Sequence, residues 1–486
     1  MHEDPKSEST SIAMSLPELG LESDSMLRYA RGFLLQPSKM RTPVALARWV
    51  TREIGDLTLH VDPRVPLDHA SSEERQVWLI GDAFDPERGI FDRLASELAR
   101  GELLDHLDRV AGRFALVVRW NDGRVEVYHD AMGSRSVFHG DGVVASHAGL
   151  VAEQLGTGLR DWVIPFITSR GYVRRDVKFL PGLDSPYEGV EQLTPNTRLS
   201  LPSQAVERYW PRKPLEPSTD ELAVNTLVDH MRSLAGYLEA RGARGVLGVS
   251  AGRDSRVALA GVSHLAPGLF TFVRGESNSV MSSTDSRVAT QLAAAVGLPL
   301  ELIEIPVPPH LNLAASKFAQ EFRVNTGHVR GNSSGWIEHL WDKNPARDPE
   351  IFIRGFGGEV MRGFGGSRPL NSTSANALSN TYDVNAGSLY TRRAFARFRE
   401  VTDWDESRFF GCSLSDIFYW EHRMGIWGSS SFTEADMALR GMPAYNSRNL
   451  FTSFWGLDSS VRRDGRHFRQ AAAILSPVLS AIEYSS

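Results

Sequence analysis

The stretch Gly245-Val246-Leu247-Gly248-Val249-Ser250-Ala251-Gly252-Arg253-Asp254-Ser255-Arg256 holds the residue types best suited to chemistry. An apolar run enters a turn of small residues, and a helix is expected to start at Asp254 or Ser255. Small residues let backbone N–H groups approach an anion, and a helix N-terminus adds partial positive charge. Ser250 and Ser255 add hydroxyl donors that suit a pyrophosphate. Asp254 repels a bare phosphate, so its role there is to hold Mg²⁺ bridged to phosphate oxygens. The stretch matches neither the lysine-containing phosphate loop nor the three-glycine dinucleotide fingerprint. A glycine-rich βα turn with an N-capping serine is the alternative reading of the same residues. A second turn of this kind follows the apolar run in Ile351-Phe352-Ile353-Arg354-Gly355-Phe356-Gly357-Gly358-Glu359. Loops after neighbouring strands converge at the carboxyl edge of an α/β sheet, where Glu359 would meet Asp254 across one metal ion.

The elements that must position these turns follow a short linker, Pro211 to Pro217, which contains three prolines. Ser218-Thr219-Asp220-Glu221 has capping-box spacing, and Leu222, Val224, Leu227, Val228, Met231, Leu234, Ala235 and Leu238 recur at helical intervals. Strand-like runs at Val246–Val249, Phe270–Val273, Leu302–Ile305 and Ile351–Ile353 then alternate with helices, one spanning about 286–296 and capped by Gly297. Such alternation predicts βαβ units and a parallel sheet. The Asn-, Ser- and Thr-rich stretch from Ser367 to Ser388 is expected to be a long loop, with a mainly helical chain beyond it.

Before the linker the pattern differs. Val77–Ile80 stops at Gly81-Asp82, and Arg113–Trp120 and Val125–Tyr128 flank Asn121-Asp122-Gly123 as a β-hairpin would. Helical stretches are expected near Phe91–Ala99 and His147–Leu155, giving an α+β half with an antiparallel sheet. Residues 1–25 are polar, acidic and Ser-rich, expected to be a flexible tail and unlike a signal peptide. The division is therefore a tail, a first domain over 26–210 and a second over 211–486.

Composition narrows the function classes. At 486 residues, 42% hydrophobic and 23% charged, the chain has the balance of a globular protein with more than one domain. A single cysteine, Cys412, excludes an intramolecular disulfide and a Cys-based zinc site. The net charge of −6 gives no general attraction to nucleic acid, and no apolar run reaches the roughly 18 residues a membrane span needs. A cytoplasmic protein with no nucleic-acid and no membrane partner is expected.

The Ser250–Ser255 stretch resembles the pyrophosphate loop, S-G-G-x-D-S, of the asparagine synthetase family of ATP pyrophosphatases. Leu269–Val273 resembles that family's second strand, which borders the adenine, and Ser283-Thr284-Asp285 with Ala289 and Gly297 resembles the next helix. Gly355–Glu359 resembles its G-D-G-x-D-E loop, with Glu359 on the metal-binding acid's position. Arg423-Met424, Met442-Pro443 and Phe468-Arg469-Gln470-Ala471 follow the order of its C-terminal markers. In the first half, Gly112–Ala115, His129–Gly133, Ala145–His147 and Tyr209-Trp210 echo its glutaminase domain, so the likeness covers roughly 75–480. The resemblance implies an N-terminal glutaminase-like α+β sandwich of the N-terminal-nucleophile type and a C-terminal parallel α/β ATP-pyrophosphatase domain with a helical end. It implies ATP held by Leu247, Val249, Ser250, Gly252, Asp254, Ser255, Val273, Gly357 and Gly358, and Mg²⁺ held by Asp254 and Glu359.

Three departures shape the expected reaction. Glutamine-using members carry a nucleophilic cysteine at position 2, where this chain has His2, so glutamine hydrolysis has no residue to perform it. The family's acid or tyrosine in the second loop is Phe356 here. The family's C-terminal lysine falls on Gly465; Arg466, Arg463 and Arg462 are candidates to replace its charge, Arg466 being taken as the catalytic one beside Asp254 and Glu359. His422, Glu421 and His467 are candidate bases by location only. The expectation is an AMP-forming amide synthetase that joins a carboxylate on a small molecule or peptide to an amine, with a peptide or biosynthetic protein as partner. β-Lactam synthetases and the lasso-peptide cyclases, which close an amide within a peptide, resemble this case. Ammonia-dependent asparagine synthesis and a nucleotide-binding pseudoenzyme are the alternatives.

Overall fold

The computed structural model describes residues 26–175, 177–274, 284–305, 316–328, 331, 335–343, 350–363 and 369–484, so the expected tail over 1–25 lies outside the described residues. In chain order the first strands are β1 (Phe33–Pro37), β2 (Val50–Ile54), β3 (Leu57–Val61), β4 (Leu67–Ser71), β5 (Arg75–Phe84), β6 (Ala111–Trp120) and β7 (Val125–His129). β8 (Phe138–Gly140), β9 (Val143–Ala145), β10 (Glu191–Gln192), β11 (Thr197–Leu201) and β12 (Ala205–Arg208) follow. They form two antiparallel sheets, ordered β10-β8-β9-β1-β3-β2 and β12-β11-β7-β6-β5-β4. Period-two alternation stacks them: Ala115 and Val117 of β6 join Phe33, Leu35 and Leu59 in one core, while Phe114, Leu116 and Val118 face the opposite way. Helix α1 (Leu94–Leu98) packs on that second side, and α2 (Ala148–Leu155) covers the outer face of the first sheet beside Leu34 and Ala145.

The predicted hairpin is β6 and β7, paired from Ala115↔His129 to Arg119↔Val125. β5 does not stop at Gly81-Asp82 as expected but stays paired with β6 to Phe84↔Ala111. Gly81 has φ +117°, and a Cβ there would lie 2.4 Å from the Arg113 carbonyl oxygen. A glycine that reads as a strand end permits a close approach within the strand.

After the linker, which forms neither helix nor strand, comes α3 (Asp220–Ala240). Its N-cap is Thr219, whose hydroxyl accepts the Leu222 N–H at 3.1 Å. β13 (Gly245–Gly248), α4 (Arg253–Val262), β14 (Gly268–Arg274), α5 (Thr284–Ala295), β15 (Leu300–Ile305), α6 (Trp336–Lys343), β16 (Ile351–Arg354) and α7 (Gly358–Arg362) alternate as the pattern predicts. Two features depart from expectation. α8 (Ala375–Tyr382) lies where a long loop was expected, capped by Ser374 and held by buried Leu378 and Tyr382. β17 (Arg440–Pro443) interrupts the helical C-terminal region, because the free edge of β16 supplies a partner from Ile351↔Arg440 to Arg354↔Pro443. A π-helix spans Tyr419–Gly428, and α9 (Arg448–Trp455) and α10 (Arg466–Leu475) follow β17.

The third sheet is parallel throughout, ordered β15-β14-β13-β16-β17. Leu247, Leu269 and Ile351 enter one core and Val246, Phe270 and Phe352 another, so both faces are covered, as parallel sheets require. The molecule is thus mixed α/β, with two antiparallel sheets and one parallel sheet. Its largest hydrophobic core runs unbroken from the first half into the second: Phe84 stacks on Tyr237 with centroids 5.3 Å apart, and the Tyr237 hydroxyl donates to Asp82 at 2.8 Å. Among the described residues, no helix is long and apolar enough to cross a membrane.

Candidate active site at the carboxyl edge of the parallel sheet

From β13 the chain proceeds outward to β14 and β15, then returns to the other side of β13 for β16 and β17. That reversal leaves a crevice at the carboxyl ends of β13 and β16, the usual ligand position in an open α/β sheet. The two turns singled out by sequence meet there. α4 begins at Arg253 with Gly252 as N-cap, one to two residues earlier than expected. The turn before it is braced by its own serines: Ser250 Oγ lies 3.0 Å from Ser255 Oγ and accepts the Gly252 N–H at 3.2 Å. The Ala251 N–H donates to Asp285 of α5 at 2.9 Å.

The second turn fits against the first because it has no side chains to spare. A Cβ on Gly358 would lie 2.1 Å from Asp254 Oδ1, and one on Gly355 would lie 3.1 Å from the Ser255 nitrogen. Gly357 has φ +102°, and a Cβ there would lie 1.8 Å from the Tyr445 carbonyl oxygen. The Tyr445 hydroxyl in turn donates to the Asp254 carbonyl at 2.6 Å, tying both turns to the segment after β17.

A cleft of about 310 Å³ opens over these turns. Val249, Ser250, Gly252, Asp254, Ser255 and Glu359, all expected at a nucleotide and metal site, line it. Leu247, Val273, Gly357 and Gly358 are not in its wall: Leu247 is buried in the core beneath, and Thr271 and Phe272 line the cleft from the strand that carries Val273. Arg466 is not in the wall either. It pairs with Asp220 of α3, which also takes the His467 ring at 2.9 Å. Glu421 and His422 have structural partners. Glu421 accepts from Asn196, Arg208 and Trp404, and His422 accepts the Gly182 N–H at 3.1 Å while its ring stacks on Phe418.

The strand expected to border an adenine supplies Phe270, Thr271 and Phe272 to the wall, whereas Phe352, Trp336 and Arg354 carried no such expectation. Phe270, Phe272, Phe352 and Trp336 form an aromatic side, with Trp336 stacked on Phe272 at 5.8 Å and 11°. Arg354, the last residue of β16 and two positions after Phe352, also lines the cleft. A lone charge closing an apolar strand was the available signal for Arg354; nothing local marks Trp336.

Electrostatics sets Asp254 apart. Its Oδ2 accepts from Arg362 at 2.6 Å, while its buried Oδ1 has no hydrogen-bond partner among the described residues. Burial pushes its pKa up to about 7 against the pull of Arg362, and the nearby charge of Glu359 adds to the rise. Glu359 Oε2 is likewise buried without a partner. Two carboxylates with orphaned oxygens form a site short of positive charge, and a hard divalent cation fits it. No cluster of three or more His, Cys, Asp or Glu able to hold a metal occurs among the described residues, so phosphate oxygens and water would complete the shell of a Mg²⁺ held by Asp254 and Glu359. No protein-family model matches the chain, and no curated protein matches it.

Proposed function

We propose that the chain is an ATP-dependent, AMP-forming amide-bond synthetase of the asparagine synthetase type. Its parallel half would be the ATP-pyrophosphatase domain, and its stacked antiparallel sheets a glutaminase-like domain of the N-terminal-nucleophile type without hydrolytic activity. One observation carries the reading: acids from the turns after β13 and β16 converge on one cleft, each with a buried oxygen lacking a partner. Mg²⁺ held by Asp254 and Glu359 would offset the charge of the triphosphate.

The chain's own groups then have separable roles. The turn around Ser250–Gly252 and the N-terminus of α4 would bind phosphate oxygens, with Ser250 and Ser255 holding the turn in shape. For Ala251 to donate to phosphate, its N–H must exchange away from Asp285. A substrate carboxylate oxygen attacks the α-phosphorus, the bond to the β-phosphate bridge breaks, and pyrophosphate leaves. An amine then attacks the activated acyl carbon and displaces AMP. Closure of an amide within one peptide, as in a lasso-type cyclase, is the sharper form of this reading, and a reaction on ATP suits the cytoplasm.

A nucleotide-binding pseudoenzyme is the second reading, favoured by Arg362, which already neutralises Asp254, and by Arg466, which is held at Asp220 outside the cleft. Carboxylate-dependent exchange of labelled pyrophosphate into ATP across an acid panel separates the two. The synthetase reading expects exchange with a matching acid and none in Asp254→Ala. Exchange unchanged in that variant removes the acid pair from the reaction, and ATP binding without exchange for any acid favours the pseudoenzyme.

A further inference from the structure

Arg354 lines the cleft with a guanidinium that pairs directly with none of the cleft's carboxylates. Its side chain is half-buried, and among the described residues it makes no hydrogen bond and no ion pair. Its guanidinium carbon lies 3.9 Å from the centre of the Phe356 ring, a stacking distance. Phe356 is itself wedged against Trp427 and Phe432, with ring centroids at 5.2 and 5.5 Å, so the platform is rigid. Glu359 and Glu434 are near enough to favour its charge, yet neither pairs with it. Burial lowers its pKa only to about 10, so it stays cationic at neutral pH. A planar cation fixed by stacking, with its N–H fork unused, matches a carboxylate or phosphate edge.

Strand order decides between those two anions. Across the sheet edge come Phe270 and Phe272 on β14, the phosphate-binding turn after β13, and then Phe352 and Arg354 on β16. A nucleotide whose base lies on Phe272 of β14 and whose phosphates reach the turn after β13 leaves Arg354, on the far side of that turn, to its co-substrate. We propose that Arg354, stacked on Phe356, receives the carboxylate of the co-substrate and thereby selects acids over their amides. This rests on the adenylation reading above. It also gives Phe356 a purpose, since this chain has a platform for a cation where related loops place an acid or tyrosine.

The test uses the full chain loaded with Mg²⁺ and α,β-methylene-ATP. Calorimetry measures binding of free amino acids and short peptides, each paired with its carboxamide. At least one acid is expected to bind, roughly ten- to hundredfold more tightly than its amide, the span of a charge-assisted hydrogen-bond pair. R354Q should abolish that preference and leave nucleotide affinity unchanged. R354K should retain part of it, because the charge stays while the fork and stack are lost. Circular dichroism checks that both variants fold. The assignment is overturned if no acid binds the loaded protein, if the acid preference survives R354Q, or if R354Q weakens nucleotide and acid alike, which would give Arg354 to the phosphates. A wild-type protein that fails to bind the nucleotide overturns the adenylation reading and this inference with it.

Discussion

Glu421 and Asp254 are both carboxylates withdrawn from bulk water, and they are surrounded in opposite ways. Glu421 is fully buried in the π-helix; Arg208 and Asn196 reach it from before the linker and Trp404 from after it. Its oxygens are all satisfied. Asp254 has one oxygen on Arg362 and, among the described residues, one on nothing. A buried charge with a complete set of donors joins parts of a fold, whereas one with a vacancy stores electrostatic cost that a ligand can relieve. Glu421 is of the first kind and ties the two halves together, and Asp254 in the cleft is of the second.

Acid should produce the largest effect, and it acts on the sealed regions. Burial lowers His139, His147 and His230 from the ordinary value near 6.5 to about 4. The unfolded chain therefore binds protons that the folded chain refuses, and stability falls as pH drops from about 6.5 to about 4. Urea midpoints across that window check the slope; a flat profile would mean these imidazoles are not held neutral. Next comes Glu421→Gln, which strands Arg208 and should cost about 3–5 kcal/mol in urea unfolding, the range for breaking a buried pair. Gly358→Ala is intermediate. Its methyl would meet Asp254 Oδ1 at 2.1 Å, so it should weaken Mg²⁺-dependent nucleotide binding at least tenfold, for a stability cost of about 1–3 kcal/mol. Asp254→Asn should alter stability least, by under about 1 kcal/mol, since relief of a buried charge offsets loss of the Arg362 pair. It should nevertheless remove nucleotide binding. Equal stability losses in Glu421→Gln and Asp254→Asn would erase the contrast.

What could be read from the sequence follows the same division. The turns at Ser250–Ser255 and Gly355–Glu359 were legible because their signature is local: small residues, a helix start and an acid within a few positions. The alternating strands on either side were legible for the same reason. Glu421 stood as a candidate base by location only, because its partners stand 17 to 225 positions away and no local pattern announces them. β17 escaped notice because Arg-Gly-Met-Pro has no alternation and becomes a strand only at the edge of β16. α8 hid in a polar segment whose helix depends on Ser374 as cap and on two buried residues. Arg466 was drawn toward the cleft by its position after Gly465, yet Asp220 lies within its reach and holds it.

The most direct test is a calorimetric titration of ATP, with and without Mg²⁺, into the wild type, Asp254→Asn and Glu359→Gln. Saturable binding that requires Mg²⁺ in the wild type and disappears in each variant is the predicted result. ATP binding that is indifferent to Mg²⁺ and unchanged in both variants would contradict the account.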